Sequence, residues 1–213
     1  MSNLAEAKFN MIEQQIRPWE VLDPEVLEVF NSVQRDHFVP AKYKGLSYAD
    51  CALPVSGTAT MLPPTVEGRM LQALGIQPKD SVLQIGSSCG YITACMASLS
   101  QNVTCIDLHA ADSEATKNNL ESFDNATLSQ KISLQTIESL TDIKTEKRFD
   151  VIAISAGSID AVPQNLIDAL AIGGRLFAVT GQSPVKHAQL ISRVSETEWQ
   201  TETVFETDIA AIV

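Results

Sequence analysis

The residues Gly86-Ser87-Ser88-Cys89-Gly90-Tyr91 follow directly on the short apolar run Ser81-Val82-Leu83-Gln84-Ile85. A glycine-punctuated turn that leaves a strand and opens a helix presents backbone N–H groups to a carboxylate, phosphate or sugar. The next apolar run, Val103-Thr104-Cys105-Ile106, ends in Asp107, which lies 107 − 86 = 21 residues beyond the first glycine. An acid at that strand end is placed to accept both hydroxyls of a ribose. A plainer reading makes the loop a tight turn and Asp107 a helix cap, but the strand-end position of the acid favours a nucleoside ligand. Phosphate cradling is not indicated: no Lys or Arg lies nearby, and the pattern is neither a P-loop nor G-x-G-x-x-G.

Other chemistry-bearing residues are sparse. Cys51, Cys89, Cys95 and Cys105 form no C-x-x-C pair, and with three histidines no clustered metal-ligand set arises. They read as reduced, half-buried side chains of a cytoplasmic protein. Cys89 lies in the glycine loop, but nothing basic flanks it to lower its pKa. Asp50 is either a positioning residue near the ligand mouth or a solvated turn aspartate. His37 reads as structural, and His109 and His187 as surface residues.

The elements that must position these groups alternate. Over 213 residues, apolar side chains make up 45% and charged ones 19%, enough apolar content for a globular core. Apolar positions at helical spacing predict helices through residues 1–40, with Asp23 as N-cap and Pro24 at the first helical position. Residues 35–64 read as a long loop of the kind that forms lids or binding segments, and 65–74 as helix. Strands are predicted at 81–85, 103–107, 132–136, 149–155 and 175–180, with two closing strands at 201–207 and 209–213. Helices are predicted at 91–99, 115–123, 163–171 and 187–194. Continuous apolar strands alternating with helices indicate a mostly parallel sheet covered on both faces. The expected fold is α/β, a Rossmann-like doubly wound sheet with an antiparallel C-terminal strand and a helical N-terminal cap. Residues 1–78 would form the cap and acceptor loop, and 79–213 the ligand-binding core.

The net charge of −11 opposes nucleic acid and anionic membrane as partners. No stretch approaches the roughly 20 apolar residues of a bilayer span, and the N-terminus lacks a signal-peptide apolar run.

The stretch from Val82 to Tyr91 resembles the S-adenosylmethionine loop of the protein-L-isoaspartate O-methyltransferases, V-L-E-I-G-T-G-S-G-Y. Arg35-Asp36-His37-Phe38-Val39-Pro40 resembles that family's R-x-x-F-V-P, and Tyr48-x-Asp50-x-x-Leu53-Pro54 its Y-x-D-x-x-L-P. Phe149-Asp150-Val151-Ile152, Pro163-x-x-Leu166, Gly173-Gly174-Arg175-Leu176 and Val179-x-Gly181 follow in the family's order, so the likeness runs nearly the length of the chain.

The resemblance implies a methyltransferase that transfers the methyl group of S-adenosylmethionine, leaving S-adenosylhomocysteine, to the carboxylate of isoaspartyl residues in damaged proteins. It implies cofactor contacts at Gln84, Gly86, Ser87, Ser88, Gly90, Tyr91, Asp107, Leu108 and Glu138, and acceptor positioning by Thr60 and Asp50. It implies no metal, a protein or peptide carboxylate as partner, and a monomer or homodimer. The sequence also departs from the family pattern. Gln84 replaces the Glu, Ser88 the middle glycine, and Gly57 a histidine, while Thr58-Ala59-Thr60-Met61-Leu62 stands for G-Q-T-I-S and puts Leu62 where the family serine borders the acceptor. Ile137-Glu138-Ser139 stands loosely for a later G-D-G. Two alternatives stay open: a methyltransferase with a different acceptor, or a cofactor-binding or interaction protein without turnover.

Overall fold

A computed structural model describes residues 3–56, 59–123, 126–144 and 146–212. The chain starts with α1 (Asn3–Asn10), which runs into a π-helical turn at Met11–Ile16 and a 3-10 turn at Arg17–Trp19. Asp23 caps α2 (Pro24–Ser32) by accepting from the Glu25 N–H at 2.8 Å, as its position before Pro24 predicts. The predicted long loop is more ordered than its composition suggests. It holds α3 (Arg35–Phe38), a 3-10 turn at Ala41–Leu46 and an antiparallel hairpin of β1 (Leu53–Ser56) and β2 (Ala59–Met61). Helix α4 (Pro64–Leu74) follows and ends at Gly75 in the left-handed region.

The central sheet comprises β3 (Ser81–Ile85), β4 (Asn102–Asp107), β5 (Ile132–Thr136), β6 (Phe149–Ile159), β7 (Leu170–Thr180), β8 (Lys186–Arg193) and β9 (Trp199–Thr207). Between them run α5 (Tyr91–Leu99), α6 (Ala110–Ser122), α7 (Ala126–Lys131) and α8 (Gln164–Asp168). The spatial order is β5-β4-β3-β6-β7-β8-β9, all in one direction except β8, which is antiparallel to both neighbours. After β3 the chain moves outward to β4 and β5, then returns to the other side of β3 for β6. This reversal creates the crevice in which open α/β sheets bind ligands.

Alternation along the strands divides the interior. Val82, Val151, Ala153, Phe177 and Val179 face a core shared with α4, α5 and the N-terminal helices. Leu83, Ile152, Ile154, Leu176 and Ala178 face the opposite core with Leu166 of α8.

Several predictions need correction, among them the helix at 163–171, of which only Gln164–Asp168 is helical while β7 already starts at Leu170. Residues 187–194 form strand β8 instead of a helix, because pairing on both edges of a short apolar run outweighs its weak helical spacing. Helix α6 starts at Ala110, earlier than 115, since its first turn is too polar to show a period. Strand β6 extends to Ile159 through an irregularity between Ala153 and Ser158. The predicted closing strand at 209–213 reduces to one bridge, Ser158 to Ala211.

Candidate functional site

Three glycine-loop residues take the left-handed backbone region: Gly86 at φ 82°, Ser88 at φ 55° and Gly90 at φ 91°. Gly86 has no freedom to change, because a Cβ there would lie 2.1 Å from the Ala156 Cβ. Ser88 occupies a conformation that costs a non-glycine residue about 1 kcal/mol or more. Its Oγ donates to the Thr60 carbonyl at 3.1 Å, joining the loop to hairpin strand β2.

Asp107, at the end of β4, is 1% exposed and turns toward this loop. Its Oδ1 accepts from the Ser87 N–H at 2.6 Å, and its Oδ2 from Ser87 Oγ and Ser113 Oγ, each at 2.7 Å. Thr116 Oγ1 extends the network to Ser87 Oγ at 2.7 Å. Gln84 is fully buried below the loop, and its Nε2 donates to the Gly86 carbonyl at 3.1 Å and to Ser155 Oγ at 2.9 Å. An ionised glutamate at this position could not donate to the Gly86 carbonyl, whereas the Gln84 Oε1 is buried with no hydrogen-bond partner among the described residues.

A cleft opens where the ends of β3, β4 and β6 meet, with Gly86, Ser88, Asp107, Leu108, Asp112 and Ala156 in its walls. Ala59 of the hairpin and residues Ala211 and Ile212 near the chain end close its other sides. The donor set suits a nucleoside: carboxylates for sugar hydroxyls, Ile85 and Leu108 as apolar walls, and loop amides for a carboxylate. The space is contracted, at about 30 Å³, against roughly 300–1,000 Å³ for cavities that bury small molecules. Ala59 of the hairpin and the segment 211–212 take up the space beside Asp107 and Leu108. That segment is held by the Ser158 N–H donating to the Ala210 carbonyl at 2.8 Å and by the buried Lys186 Nζ on the Ile209 carbonyl.

Behind the loop lies a second polar feature. Arg35 is fully buried and pairs with Glu67 of α4, which is 2% exposed. Burial pushes the Glu67 carboxyl up to about 7, against the opposing pull of Arg35. Burial alone would lower Arg35, but Glu67, Tyr91 and Cys89 raise it, so the pair is ionic once Glu67 has lost its proton.

Of the sequence-predicted site residues, Gly86, Ser88, Asp107 and Leu108 line the cleft, and Ser87, Gly90, Gln84 and Thr60 brace it. Tyr91 points elsewhere: it is 1% exposed, stacks on Phe30 at 6.1 Å and lies beneath Arg35 at 4.9 Å. Asp50 accepts from Thr65 Oγ1 at 2.7 Å and from its N–H at 3.3 Å, which gives it a capping contact at the start of α4 instead of a place at the cleft. Glu138 is exposed just beyond β5 and is not among the cleft walls, although the Ile137 N–H before it donates to the Asp107 carbonyl at 3.0 Å. Gly57 and Thr58 lie outside the described residues. Cys89 is buried, and burial pushes its thiol up to about 12, which rules out a thiolate nucleophile. His37 bonds the Asn119 carbonyl and Ser122 Oγ, each at 3.1 Å, a tertiary contact between α3 and α6. Asp112, Ala156 and the segment 211–212 are cleft residues that sequence reasoning missed, and His109, read there as a surface residue, is exposed but also lines the cleft. Only Asp112, one turn into α6, had a usable signal.

A parallel sheet reversed once with its cleft at the reversal, a glycine turn and an acid at the end of the next strand together make the arrangement by which open α/β proteins bind nucleoside-containing ligands. Residues 6–211 match the family model for protein-L-isoaspartate(D-aspartate) O-methyltransferase. A Methylorubrum populi protein-L-isoaspartate O-methyltransferase is 33% identical over 175 residues, covering 82% of this chain and 80% of that one. A Syntrophus aciditrophicus protein of the same name is 30% identical over 196 residues, covering 92% and 88%. A crystal structure of a Plasmodium falciparum protein assigned to this activity, in complex with S-adenosyl-L-homocysteine, superposes with a TM-score of 0.77 at 18% identity. That superposition covers 95% of this chain and 96% of the other. The chain belongs to the protein-L-isoaspartate(D-aspartate) O-methyltransferase family.

Proposed function

We propose that this protein transfers the methyl group of S-adenosylmethionine to the carboxylate of isoaspartyl residues in protein or peptide substrates. The observation that carries this reading is the buried Asp107 in the wall of a cleft bounded by the glycine loop, in a chain whose relatives bear that activity in their names. The cofactor, when bound, supplies an electrophilic sulfonium methyl. Asp107 would accept from the ribose hydroxyls, and Gly86 and Ser88 would meet the methionine end through their backbone. Leu108 would flank the base. Gln84, Ser87 and Gly90 would hold the loop in shape, while Thr60 would support the acceptor side through its carbonyl bond to Ser88. A carboxylate acceptor is already a nucleophile, so these residues need only align it and exclude water. No side chain has to remove a proton.

Incubation with methyl-labelled cofactor and an isoaspartyl peptide is expected to give a base-labile ester; no transfer above the blank overturns the assignment. A second reading, cofactor binding without turnover, is favoured by apolar, buried Met61 and Leu62 on the acceptor side. Calorimetry with S-adenosylhomocysteine separates the two from a scaffold role, because a scaffold binds none. No helix among the described residues is long and apolar enough to cross a membrane. Four unpaired cysteines support a reducing, cytoplasmic setting, and the acidic surface argues against nucleic acid as a partner.

A further inference from the structure

A two-stranded hairpin is marginal by itself in water, so β1 and β2 need outside support to keep a fixed distance from the glycine loop. Apolar contact supplies part of it through Leu53, Met61 and Leu62, all buried. The rest converges on one side chain. Arg35 Nη2 donates to the Leu62 carbonyl at 2.6 Å, where the hairpin hands over to α4. Its Nη1 donates to Glu67 inside α4. The same guanidinium lies over the ring of Tyr91, the residue that opens α5 directly after the glycine loop. Hairpin exit, α4 and the cofactor-loop helix are thus tied by a single buried cation. A small gap of about 10 Å³ between Leu62, Glu67, Ser87, Ser88 and Ser155 marks the seam where hairpin and glycine loop face each other.

Stability alone does not account for this arrangement. Taking both ions of such a pair out of water costs several kcal/mol each, and apolar replacements of similar volume are often neutral or better. Arg35 Nε, moreover, is buried with no partner among the described residues. The guanidinium is oriented to reach Leu62 and Glu67, and its own hydrogen bonding is left incomplete. A planar fork with several donors holds a carbonyl and a carboxylate in a fixed mutual geometry, which an apolar side chain cannot do.

We infer that Arg35 and Glu67 are positioning residues that fix the Leu62 backbone opposite the glycine loop, and so set the wall against which the methyl acceptor is aligned. This inference rests on the methyltransferase reading above for its catalytic consequence, but its structural half stands without it.

The test uses the full chain as wild type, the volume-conserving pair Arg35→Met with Glu67→Met, and Arg35→Lys, which keeps a charge for Glu67 and loses the planar fork of two nitrogens that reaches Leu62 and Glu67 together. The doubly substituted chain is expected to fold with a thermal midpoint at or above wild type. Backbone amides of residues 59–62 should exchange with solvent about tenfold faster, and kcat/KM for an isoaspartyl peptide should fall about tenfold. S-adenosylhomocysteine affinity should stay within about twofold. Arg35→Lys should show the same two losses in smaller measure, and it decides the matter if the double variant does not fold. Unchanged exchange at 59–62 together with unchanged kcat/KM in a folded variant overturns the inference. A wild-type chain that does not methylate the peptide defeats the functional reading alone, and the exchange measurement still decides whether the pair fixes the hairpin.

Discussion

Two buried carboxylates border the glycine loop, and they are accommodated in different ways. Asp107, 1% exposed, is surrounded by donors: one backbone N–H and two serine hydroxyls. Glu67, 2% exposed, depends on a single guanidinium. Hydroxyl donors can rotate and trade partners with a ligand, so the first arrangement suits a site that must bind and release. A rigid ion pair cannot trade partners without leaving a charge bare, which suits a fixed wall. The loop therefore has an adaptable polar side toward the cofactor and a fixed one toward the hairpin.

The comparison breaks first at Arg35. Arg35→Ala leaves Glu67 buried and uncompensated, and about 3–5 kcal/mol of stability should be lost in chemical denaturation. A loss under 1 kcal/mol would mean that Glu67 is not held by this pair.

The next effect is one of pH. The folded-state carboxyl of Glu67 is raised from 4.5 to about 7 by burial, with Asp50 adding to the rise and Arg35 opposing it. Folding then takes up a proton between those values, so this group's contribution is complete below about pH 4.5 and is lost as pH climbs through about 7. The difference in stability between wild type and the Met–Met double variant should narrow or reverse across that window by roughly 3 kcal/mol at most. A pH-independent difference would show that Glu67 titrates normally.

Asp107→Ala comes third. It removes a charged acceptor from the proposed ribose contact and should weaken S-adenosylhomocysteine binding about 10- to 100-fold by calorimetry, on the scale of about 1.5–3 kcal/mol for hydrogen bonds to charged groups. Unaltered affinity would remove Asp107 from the site.

Ser88→Gly should have the smallest effect. It relieves the positive φ but loses the bond to Thr60 and adds freedom to the unfolded chain, so stability should move by less than about 1 kcal/mol. Because Ser88 lines the cleft, affinity for S-adenosylhomocysteine should rise, by no more than about tenfold. A fall in affinity would make the Ser88–Thr60 bond part of the binding geometry.

Much of the architecture was legible because short apolar runs alternating with helices are simple signals. Ser81–Ile85 and Ile132–Thr136 agree with their predicted bounds, and Asn102–Asp107 begins one residue earlier than predicted. Misreadings occurred where local composition is ambiguous. The run at Lys186–Arg193 carries a spacing compatible with helix, and only β7 and β9 on its two edges make it a strand. Asp50 and Glu138 sit inside motifs that match the family, yet one contacts the start of α4 and the other is exposed beyond β5, because a motif fixes residue type and order but not the direction of a side chain.

The sequence by itself determined the parallel strands from β3 to β6, the glycine turn, the acid at position 107 and the family, since each depends on short-range spacing and on apolar runs bounded by turn residues. Only the tertiary structure decided that Glu67 meets Arg35 across 32 residues, and that Ala156 and the segment 211–212 narrow the cleft. It also decided that the Gln84 side-chain amide, besides donating to the nearby Gly86 carbonyl, donates to Ser155 Oγ. These contacts join positions far apart in the chain, where no local period or propensity records which side chains the closed core will bring within reach.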